Sequence, residues 1–388
     1  MKKLVSFLLV LTFVLCLIPA QKAKAVTEFT LNYPNVAAAM LVEYKTGKVL
    51  YAHNIQKQVP IASVTKIMTL ILGFEAIESG VLTYDKILTV SAEASSMGGS
   101  EVFLNAGEEI SVEDTFKSII VASANDACVV LAEAVAGSSQ QFVAQMNEKA
   151  KELGMKNTLF VNCTGLPASG HYSTAEDVAL MSRELLKHED YFRWSTIWTE
   201  NMTNLKNNTM ITNTNKLIRF YTGCDGLKTG FTNEAKYCIS ATAQRGGERF
   251  IAVVLGMENS DDRFSLAKEL LNYGFSNYKT STVIEQGQSF EGSAELIVRK
   301  GKKDTVTGVA AQDVSELVEM SAKPQYTVTS VPNEVISAPI KEGDVIGKFI
   351  VYSGDTEIAQ VDMLAAESID KLTLGDYIKA IFARWVWV

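Results

Sequence analysis

The stretch Ser63-Val64-Thr65-Lys66 opens an apolar run, Ile67-Met68-Thr69-Leu70-Ile71-Leu72, that predicts a buried helix. Pro60 precedes it, as is typical of the approach to a helix start. Residues three apart on a helix lie on one face, so the Ser63 hydroxyl and the Lys66 amine are expected to be neighbours. An apolar environment disfavours the charged ammonium, so Lys66 can take the serine proton near neutral pH. The stretch therefore predicts an activated serine nucleophile.

The spacing is not specific by itself. Ser276 and Lys279 have the same separation, and so do Ser368 and Lys371, where the simple interpretation is a capping serine and a solvated lysine. Ser63 differs because two further motifs follow it in order, Ser123-Ala124-Asn125 and Lys228-Thr229-Gly230. An earlier Lys45-Thr46-Gly47 lies in a predicted hairpin turn before Ser63, and we assign it no chemistry.

The chain around the later motifs predicts where they lie. The segment 115–136 has helical periodicity but contains Ser123 and Asn125, whose side chains compete with helical backbone bonds, so a break near residues 123–126 is expected. That break would turn both side chains into a cleft. The alternative is an unbroken helix in which the two side chains hydrogen-bond locally. The segments 225–230 and 237–243 predict two strands around a polar turn, which would put Lys228 on a strand.

The first 25 residues predict a secretory signal. Lys2 and Lys3 precede an apolar stretch at residues 4–19, and Ala23-Lys24-Ala25 offers small residues for cleavage. The alternative is an uncleaved membrane anchor. Removing the segment deletes four lysines and leaves 32 basic against 44 acidic residues, a net charge of −12. A chain this acidic has no general attraction to nucleic acid.

Length and cysteine content set further limits. With 388 residues, 47% of them hydrophobic, the chain can form two domains and a large core. Four cysteines follow the signal, with no CxxC spacing, and we interpret them as mostly buried thiols, although export would permit disulfides. They are Cys128, Cys163, Cys224 and Cys238.

The C-terminal region differs from the rest. From about residue 281, short alternating stretches separated by glycine and lysine turns predict a small all-β domain. One apolar helical stripe follows, made of Leu374, Tyr377, Ile378, Ile381, Phe382, Trp385 and Val388. This pattern predicts an amphipathic helix in the membrane plane, too short to span a bilayer. The alternative is a terminal helix docked on its own protein.

With Ser63-x-x-Lys66, Ser123-x-Asn125 and Lys228-Thr229-Gly230 in order, the sequence resembles the low-molecular-weight penicillin-binding proteins, the serine-type D-alanyl-D-alanine carboxypeptidases. Phe103-Leu104, Asn162-x-x-Gly165-Leu166 and Tyr172-Ser173-Thr174-Ala175 also look like that family. The resemblance implies an α+β transpeptidase-like domain, with an antiparallel sheet flanked by helices. The expected division is a signal peptide (1–25), a catalytic domain (26–278), a β domain (279–366) and a membrane-associating helix (367–388).

The resemblance also implies roles for the motif residues. Ser63 would attack the bond between the last two D-alanines of a peptidoglycan stem peptide and form an acyl-enzyme, with Lys66 as the base. Ser123 would relay a proton to the leaving amine, and Asn125 would hold the substrate backbone. The protein would be acylated by β-lactam antibiotics and would work outside the cytoplasmic membrane, attached to its surface by the terminal helix.

The third motif and its surroundings are expected to bind substrate. Lys228 would keep the site positive and attract the terminal carboxylate, and Thr229 would hydrogen-bond that carboxylate. Gly230 and Phe231 would lie along the substrate, with the Phe231 N–H completing an oxyanion hole with the Ser63 N–H. Arg263 would help to bind the carboxylate, and the alternative is a surface arginine on a helix.

Two positions depart from the family pattern. Phe231 stands where a histidine is common, which removes any side-chain role there, and Lys236 stands where a glycine is often found. No cofactor or metal is implied. His53, His171 and His188 are scattered, so a metal hydrolase is not expected. We expect His53 and His188 at the surface and His171 at the cleft rim.

Other functions share the same motifs. A β-lactamase would normally add a Glu-x-x-Leu-Asn stretch between the second and third motifs, which the sequence lacks. A D,D-endopeptidase uses the same apparatus and stays open. A non-catalytic wall-binding protein is disfavoured because every motif position is kept.

Overall fold

The computed structural model describes residues 29–378, and the predicted signal and the residues after 378 lie outside this range. The described chain divides into two compact units. The first contains Phe29–Glu285 and Asp313–Leu317, and the second contains Gln286–Gln312 and residues 318–378.

The secondary structure alternates between helices and strands in the first unit and is dominated by strands in the second. The helices are α1 (Lys66–Glu78), α2 (Ala92–Ser95), α3 (Val112–Lys117), α4 (Asn125–Ala136), α5 (Ser139–Glu152), α6 (Ala175–Leu185), α7 (Phe192–Ser195), α8 (Leu217–Phe220) and α9 (Ser260–Asn277). Tighter or wider helical turns cover Ala62–Thr65, Ser118–Ala122 and Glu189–Tyr191.

The strands are β1 (Ala38–Glu43), β2 (Val49–His53), β3 (Ile87–Thr89), β4 (Glu109–Ser111), β5 (Thr199–Met202), β6 (Thr209–Thr212), β7 (Cys224–Thr232), β8 (Lys236–Arg245), β9 (Glu248–Met257), β10 (Tyr278–Ile284), β11 (Leu296–Arg299), β12 (Thr305–Val306), β13 (Gly308–Ala310), β14 (Val314–Glu319), β15 (Tyr326–Pro332), β16 (Ile336–Ser337), β17 (Val345–Ser353) and β18 (Thr356–Ala365).

A five-stranded antiparallel sheet lies at the centre of the first unit, in the order β2-β1-β9-β8-β7. Its middle strands are buried on both faces. In β9, Ile251, Val253 and Leu255 belong to one hydrophobic core and Phe250 and Val254 to the other, as the two-residue period of a strand requires. A strand buried on both faces reads as a continuous apolar run, which explains the sequence of β9.

Helices cover both faces of this sheet. The larger core contains the apolar residues of α1, α4 and α6, and the smaller core contains Phe264, Leu266, Leu270 and Leu271 of α9. Side-chain caps fix several helix starts: Ser111 accepts from the Asp114 N–H at the start of α3, and Thr174 accepts from the Asp177 N–H at the start of α6. β7 forms one edge of the sheet, so one side of its backbone is open to a neighbouring segment.

The second unit is all-β. It contains a four-stranded sheet in the order β13-β18-β17-β15 and a three-stranded sheet in the order β12-β11-β16. Phe349, Val351 and Met363 are fully buried, and the ring of Phe290 packs edge-on against Phe349 at 5.2 Å. The mixed sheet-and-helix unit followed by an all-β unit confirms the predicted fold class. The stripe residues Leu374, Tyr377 and Ile378 are exposed, and the rest of the predicted terminal helix lies outside the described residues.

One histidine prediction is wrong. His188 is buried, only 6% exposed, because it follows α6, stacks on the ring of Phe74 and has its Nδ1 2.6 Å from a Glu78 carboxylate oxygen. Cys128, Cys163, Cys224 and Cys238 are buried free thiols, as predicted. Within residues 29–378 no single helix is long and apolar enough to cross a bilayer, although α4 and α5, bent by 81°, pass such a test as a pair.

Candidate active site

Ser63 lies in the tight helical turn Ala62–Thr65 that runs directly into α1. As the second residue of that turn, it precedes the first intrahelical N–H donors, so its own N–H is not used by the helix. Ala62 adopts a left-handed conformation with φ of 47°. Such strain in a non-glycine residue is concentrated at functional sites.

Lys66 is fully buried and makes three short contacts through Nζ. These are with Ser63 Oγ at 2.9 Å, Asn125 Oδ1 at 2.6 Å and the Thr164 carbonyl oxygen at 2.7 Å. Burial lowers the pKa of Lys66 below its ordinary value, because the charged ammonium loses its hydration.

These three contacts determine which way the lone pair of a neutral Lys66 amine points. The Asn125 and Thr164 oxygens can only accept hydrogen bonds, whereas the Ser63 hydroxyl can also donate one. A neutral amine has two N–H groups and one lone pair. When the two N–H groups bond to Asn125 and Thr164, the lone pair is left facing the Ser63 hydroxyl. The arrangement therefore suits proton transfer from Ser63 to Lys66.

The second motif lies at a break in the helical chain, where the sequence predicts one. The wide turn Ser118–Ala122 ends at Ser123, which has φ of 63°, and α4 begins at Asn125. Left-handed backbone at a serine costs about 1–2 kcal/mol, so the surrounding structure must hold it there. Ser123 is buried, at 4% exposed.

Asn125 is occupied on both sides of its amide. Oδ1 accepts from Lys66, and Nδ2 donates to the Gly98 carbonyl at 2.6 Å. Its backbone N–H donates to the Ser100 carbonyl at 2.7 Å. In this state Asn125 orients Lys66 and ties the 98–100 loop to α4.

The loop from Phe160 to His171 carries the Thr164 carbonyl, and sequence reasoning did not identify this contribution. His171 links the loop to the turn that carries Ser63: the Val161 N–H donates to Nδ1 at 3.2 Å, and Nε2 lies 2.8 Å from Thr65 Oγ1. Since Nδ1 accepts, the proton sits on Nε2 and is donated to Thr65. Burial lowers the pKa of His171 to about 4, which keeps the ring neutral.

Gly165 allows this loop to reach the turn. It has φ of +80°, and a Cβ there would stand 1.9 Å from the Ala62 carbonyl oxygen. A glycine is therefore required by both conformation and space.

The third motif lies on the edge strand β7. Lys228 is 2% exposed and donates from Nζ to the Thr229 carbonyl at 3.0 Å. Burial and the nearby Lys66 lower the pKa of Lys228 well below its ordinary value, because two buried ammonium groups repel each other. Thr229 Oγ1 donates to Thr214 Oγ1 at 2.8 Å, so Thr214 belongs to the same group.

Gly230 and Phe231 continue β7 past Ser63. A Cβ on Gly230 would stand 2.9 Å from the Ser63 nitrogen and 2.8 Å from the Ile61 carbonyl oxygen, so only glycine lets the strand come this close. The Phe231 ring is 49% exposed and stacks on Tyr237 with centroids 4.3 Å apart. Lys236, at the family's glycine position, has φ of 56°.

Arg263 reaches this strand from α9. It is buried, and its Nη1 lies 3.3 Å from the Gly230 carbonyl and 3.2 Å from the Cys238 carbonyl, to which it donates. Burial lowers its pKa to about 10. In the described part of the chain its Nε has no hydrogen-bond partner. Arg263 thus contacts β7 at Gly230, and no bond joins it to Lys228 or Thr229.

A cluster of side chains of the types that bind metals lies away from Ser63. Among the described residues, Glu75, Glu184 and His188 place ligand-type atoms within 4.8 Å of one another. Glu75 follows Lys66 by nine residues on α1, which is about 14 Å along the helix. Glu75 is paired with Lys149 and Glu184 with Lys187.

Two protein-family profiles match the chain, one over its first part and one over its C-terminal part. A profile of the D-alanyl-D-alanine carboxypeptidase family, peptidase family S11, matches residues 27–259. A profile of the C-terminal domain of penicillin-binding protein 5 matches residues 278–371. The chain is 38% identical to D-alanyl-D-alanine carboxypeptidase DacF of Bacillus subtilis, with 99% of each chain covered.

Solved structures agree. The chain resembles penicillin-binding protein 5 of Haemophilus influenzae with a TM-score of 0.74 and 27% identity, covering 88% of this chain and all of that one. It also resembles penicillin-binding protein D2 of Listeria monocytogenes in its ampicillin-bound form, with a TM-score of 0.57 and 33% identity over 63% of this chain and all of that one. The chain therefore belongs to the D-alanyl-D-alanine carboxypeptidase family of serine peptidases.

Proposed function

We propose that this protein is an exported carboxypeptidase that removes the terminal D-alanine from peptidoglycan pentapeptide stems through an acyl-enzyme on Ser63, and that penicillin acylates the same oxygen. The observation that carries the proposal is the position of Lys66. Its Nζ lies 2.9 Å from Ser63 Oγ, and its two other contacts are with oxygens that can only accept.

Acylation begins when the Ser63 oxygen attacks the carbonyl carbon of the penultimate D-alanine and its proton moves to Lys66. The former carbonyl oxygen becomes an oxyanion, which the N–H groups of Ser63 and Phe231 stabilise. The tight contact of Gly230 with the Ser63 nitrogen supports this pairing, since it brings the two backbone segments together.

The tetrahedral intermediate then collapses. The carbon–nitrogen bond breaks, and the leaving amine of D-alanine takes a proton that passes from Lys66 through the Ser123 hydroxyl. Water attacks the carbonyl carbon of the resulting ester and gives a proton to Lys66. The ester bond to Ser63 then breaks, Lys66 returns the proton to Ser63 Oγ, and the shortened stem leaves with a free carboxylate. Both steps use one amine as base and then as acid, which requires a lysine whose pKa is lowered.

The free carboxylate of the substrate distinguishes a carboxypeptidase. Lys228 and Thr229 lie on the part of β7 before Gly230, and we assign to them the charge and the hydrogen bond for that carboxylate. Arg263 adds positive charge behind Gly230 and holds the strand through its carbonyl. Asn125 keeps Lys66 in place until substrate competes for its amide.

The two ends of the chain bear on where the protein works. The predicted signal would export the protein, and the C-terminal helix would hold it at the outer face of the membrane. The exposed apolar residues Leu374, Tyr377 and Ile378 at the start of that helix support a membrane surface as its partner. The division into a catalytic domain, a β domain and this helix belongs to the same proposal.

Mass spectrometry of the mature protein after brief exposure to penicillin tests the nucleophile. We expect one penicilloyl adduct, mapping to Ser63, and no adduct on Ser63→Ala. Ser276→Ala is the matched control, because Ser276 and Lys279 have the same spacing and Ser276 is exposed. That variant should label like the parent. A parent chain without an adduct, or a labelled Ser63→Ala, would contradict the proposal.

Product analysis separates the alternatives. Free D-alanine released from a pentapeptide stem indicates a carboxypeptidase, cleavage of cross-linked dimers an endopeptidase, and rapid penicillin hydrolysis without a lasting adduct a β-lactamase. A wall-binding protein would bind stems and release nothing.

A further inference from the structure

The three residues that precede Ser63 line a cavity of about 390 Å³. This volume is typical of small-ligand pockets. Three segments form its walls: residues 60–62, which lead into the nucleophile's turn; residues 165–169 with His171; and the turn between β7 and β8, through Thr232 and Glu234. None of the reaction steps above uses this space.

The direction of the substrate places one of its side chains there. If the terminal carboxylate lies at Lys228 and Thr229 and the scissile carbonyl lies at Ser63 and Phe231, the acyl half continues toward Thr232. The substrate then runs antiparallel to β7. One residue of extended chain spans about 3.4 Å, so the residue before the two D-alanines reaches the end of β7, where the cavity opens.

The cavity has one charged wall residue. Most of the lining is apolar, with Pro60, Ile61, Ala62, Leu166 and Pro167, and Glu234 supplies a carboxylate. His171 is uncharged at neutral pH, since its pKa is about 4.

The nearby lysine does not neutralise that carboxylate. Lys236 is directed to Glu258, with Nζ 3.4 Å from its carboxylate oxygen. Within residues 29–378 no hydrogen bond or ion pair is formed by the Glu234 carboxylate.

We propose that this cavity binds the side chain of the stem residue that precedes the two D-alanines, and that Glu234 selects a cationic side chain at that position. This rests on the proposed carboxypeptidase function and adds its substrate preference. The apolar walls suit the methylene stem of a diamino acid, and the carboxylate at the rim suits its terminal amine. A stem peptide whose third residue has a free side-chain amine matches this chemistry.

Two substrates that differ in one charge test the proposal. They are acetyl-L-Lys-D-Ala-D-Ala with a free side-chain amine and the same peptide with that amine acetylated. Release of D-alanine gives kcat/KM for each, and we expect the wild type to prefer the free amine by about three-fold to five-fold, the range of a solvent-accessible ion pair. The preference should fall toward one between about 50 mM and about 500 mM KCl, because salt screens exposed charges.

Variants assign the preference to one residue. Glu234→Gln should bring the ratio of the two kcat/KM values to about one, and Glu234→Lys should bring it below one. Glu258→Gln is the matched control, since Glu258 is acidic, exposed and near the same turn but is paired with Lys236, and it should keep the wild-type ratio. A ratio unchanged in Glu234→Gln, or equal to one in the wild type, overturns the inference.

The salt dependence is measured on the wild type alone. The proposal can therefore be tested even if a Glu234 variant fails to fold. Failure of the proposed function looks different. In that case neither peptide would release D-alanine from the wild type, whereas failure of this inference alone leaves both peptides cleaved at equal rates.

Discussion

Lys66 and Lys228 are two buried amines in one site, and their mutual repulsion has a measurable consequence. Burial and the charge of Lys66 lower the pKa of Lys228. Repulsion between two cations is reciprocal, so we expect the loss of a charged Lys228 to raise the pKa of Lys66. For Lys228→Met we therefore expect the acid limb of the penicillin acylation rate to move to higher pH. The rate near pH 7 should fall, because a larger fraction of Lys66 would then be protonated.

The measurement is the acylation rate by mass spectrometry across the pH range. Thr229→Val is the matched control, because it removes a hydroxyl on the neighbouring residue without changing charge. Its rate can fall, but its pH profile should keep the wild-type position. An acid limb that stays in place in Lys228→Met would show that Lys228 does not act on Lys66.

His171 links acid sensitivity to the geometry of the site. Its pKa is about 4 in the folded chain and about 6.5 in a free histidine, so the unfolded state binds more protons between these values. Stability is therefore lost as the pH falls through this window. The loss from this one residue amounts to about 2 kcal/mol between about pH 7 and about pH 5.

Urea denaturation of the wild type and His171→Gln at both pH values checks this prediction. The variant does not titrate at this position, so its free energy of unfolding should depend less on pH, and its deficit relative to wild type should be larger at pH 7. Parallel pH dependences would contradict it. Protonated Nδ1 also cannot accept from Val161, so acylation by the wild type should decline at the acid end.

Short motifs carry information about side chains but not about backbone groups. Ser63, Lys66 and Asn125 are predicted from their spacing, and the structure joins them by hydrogen bonds. The Thr164 carbonyl is absent from that prediction because any residue type supplies a carbonyl. His171 was expected at the cleft rim, but its link to Thr65 depends on tertiary packing across 106 positions of sequence.

At the scale of elements, the loop between Phe160 and His171 depends on Gly165. Gly165→Ala would put a methyl group 1.9 Å from the Ala62 carbonyl oxygen, so the loop must move away from the turn that carries Ser63. The Thr164 carbonyl would then leave Lys66. We expect penicillin acylation to fall by about ten-fold or more, with a stability loss of about 2 kcal/mol or more.

Gly170→Ala provides the control within the same loop. Its φ of +83° is nearly the same, but the nearest atom to an added Cβ is 3.9 Å away, on Leu159. This variant should lose about 1–2 kcal/mol from conformational strain alone and keep its acylation rate. Equal effects of the two variants on acylation would show that backbone strain, and not the approach to Ala62, controls the site.

Elements were predicted best where their pattern is strong. The sequence of β9 is a continuous apolar run, which is typical of a buried strand. Ser111 and Thr174 each stand directly before an acidic first turn, which is typical of a capped helix start. The asparagine-rich composition of segment 201–215 is typical of a loop, yet the segment contains the hairpin strand β6 and part of β5. Asn213 and Asn215 are buried there and donate to backbone carbonyls, a stabilisation that composition does not reveal.

At the scale of the whole molecule, sequence and structure draw the division of the chain differently. The expected division has a catalytic domain over residues 26–278, followed by the change in composition near residue 281. In the structure the first compact unit continues to Glu285 and also includes Asp313–Leu317, which lies within the predicted β domain. Residues 313–317 are too few for their composition to show that they belong to the first unit. Only the tertiary contacts identify this.

Leu317 is the residue through which this segment affects stability. It is 2% exposed and belongs to the smaller core of the first unit, together with apolar residues of α9 and the central sheet. Its carbonyl also accepts from Lys48 Nζ at 3.4 Å. Leu317→Ala should therefore destabilise the peptidase unit, although the residue lies far beyond all three sequence motifs in the chain.

The expected loss is about 2–4 kcal/mol, the usual cost of removing a buried leucine side chain. It can be measured as the urea concentration at which penicillin labelling of Ser63 is lost, which reports on the peptidase unit and not on the β strands of the second unit. Ile297→Ala is the control, because Ile297 is 78% exposed in the second unit. This variant should change the free energy of unfolding by less than about 0.5 kcal/mol and leave the labelling midpoint nearly unchanged. If Leu317→Ala left the labelling midpoint unchanged while destabilising the second unit, residues 313–317 would belong energetically to the β domain, and the peptidase would be complete without them.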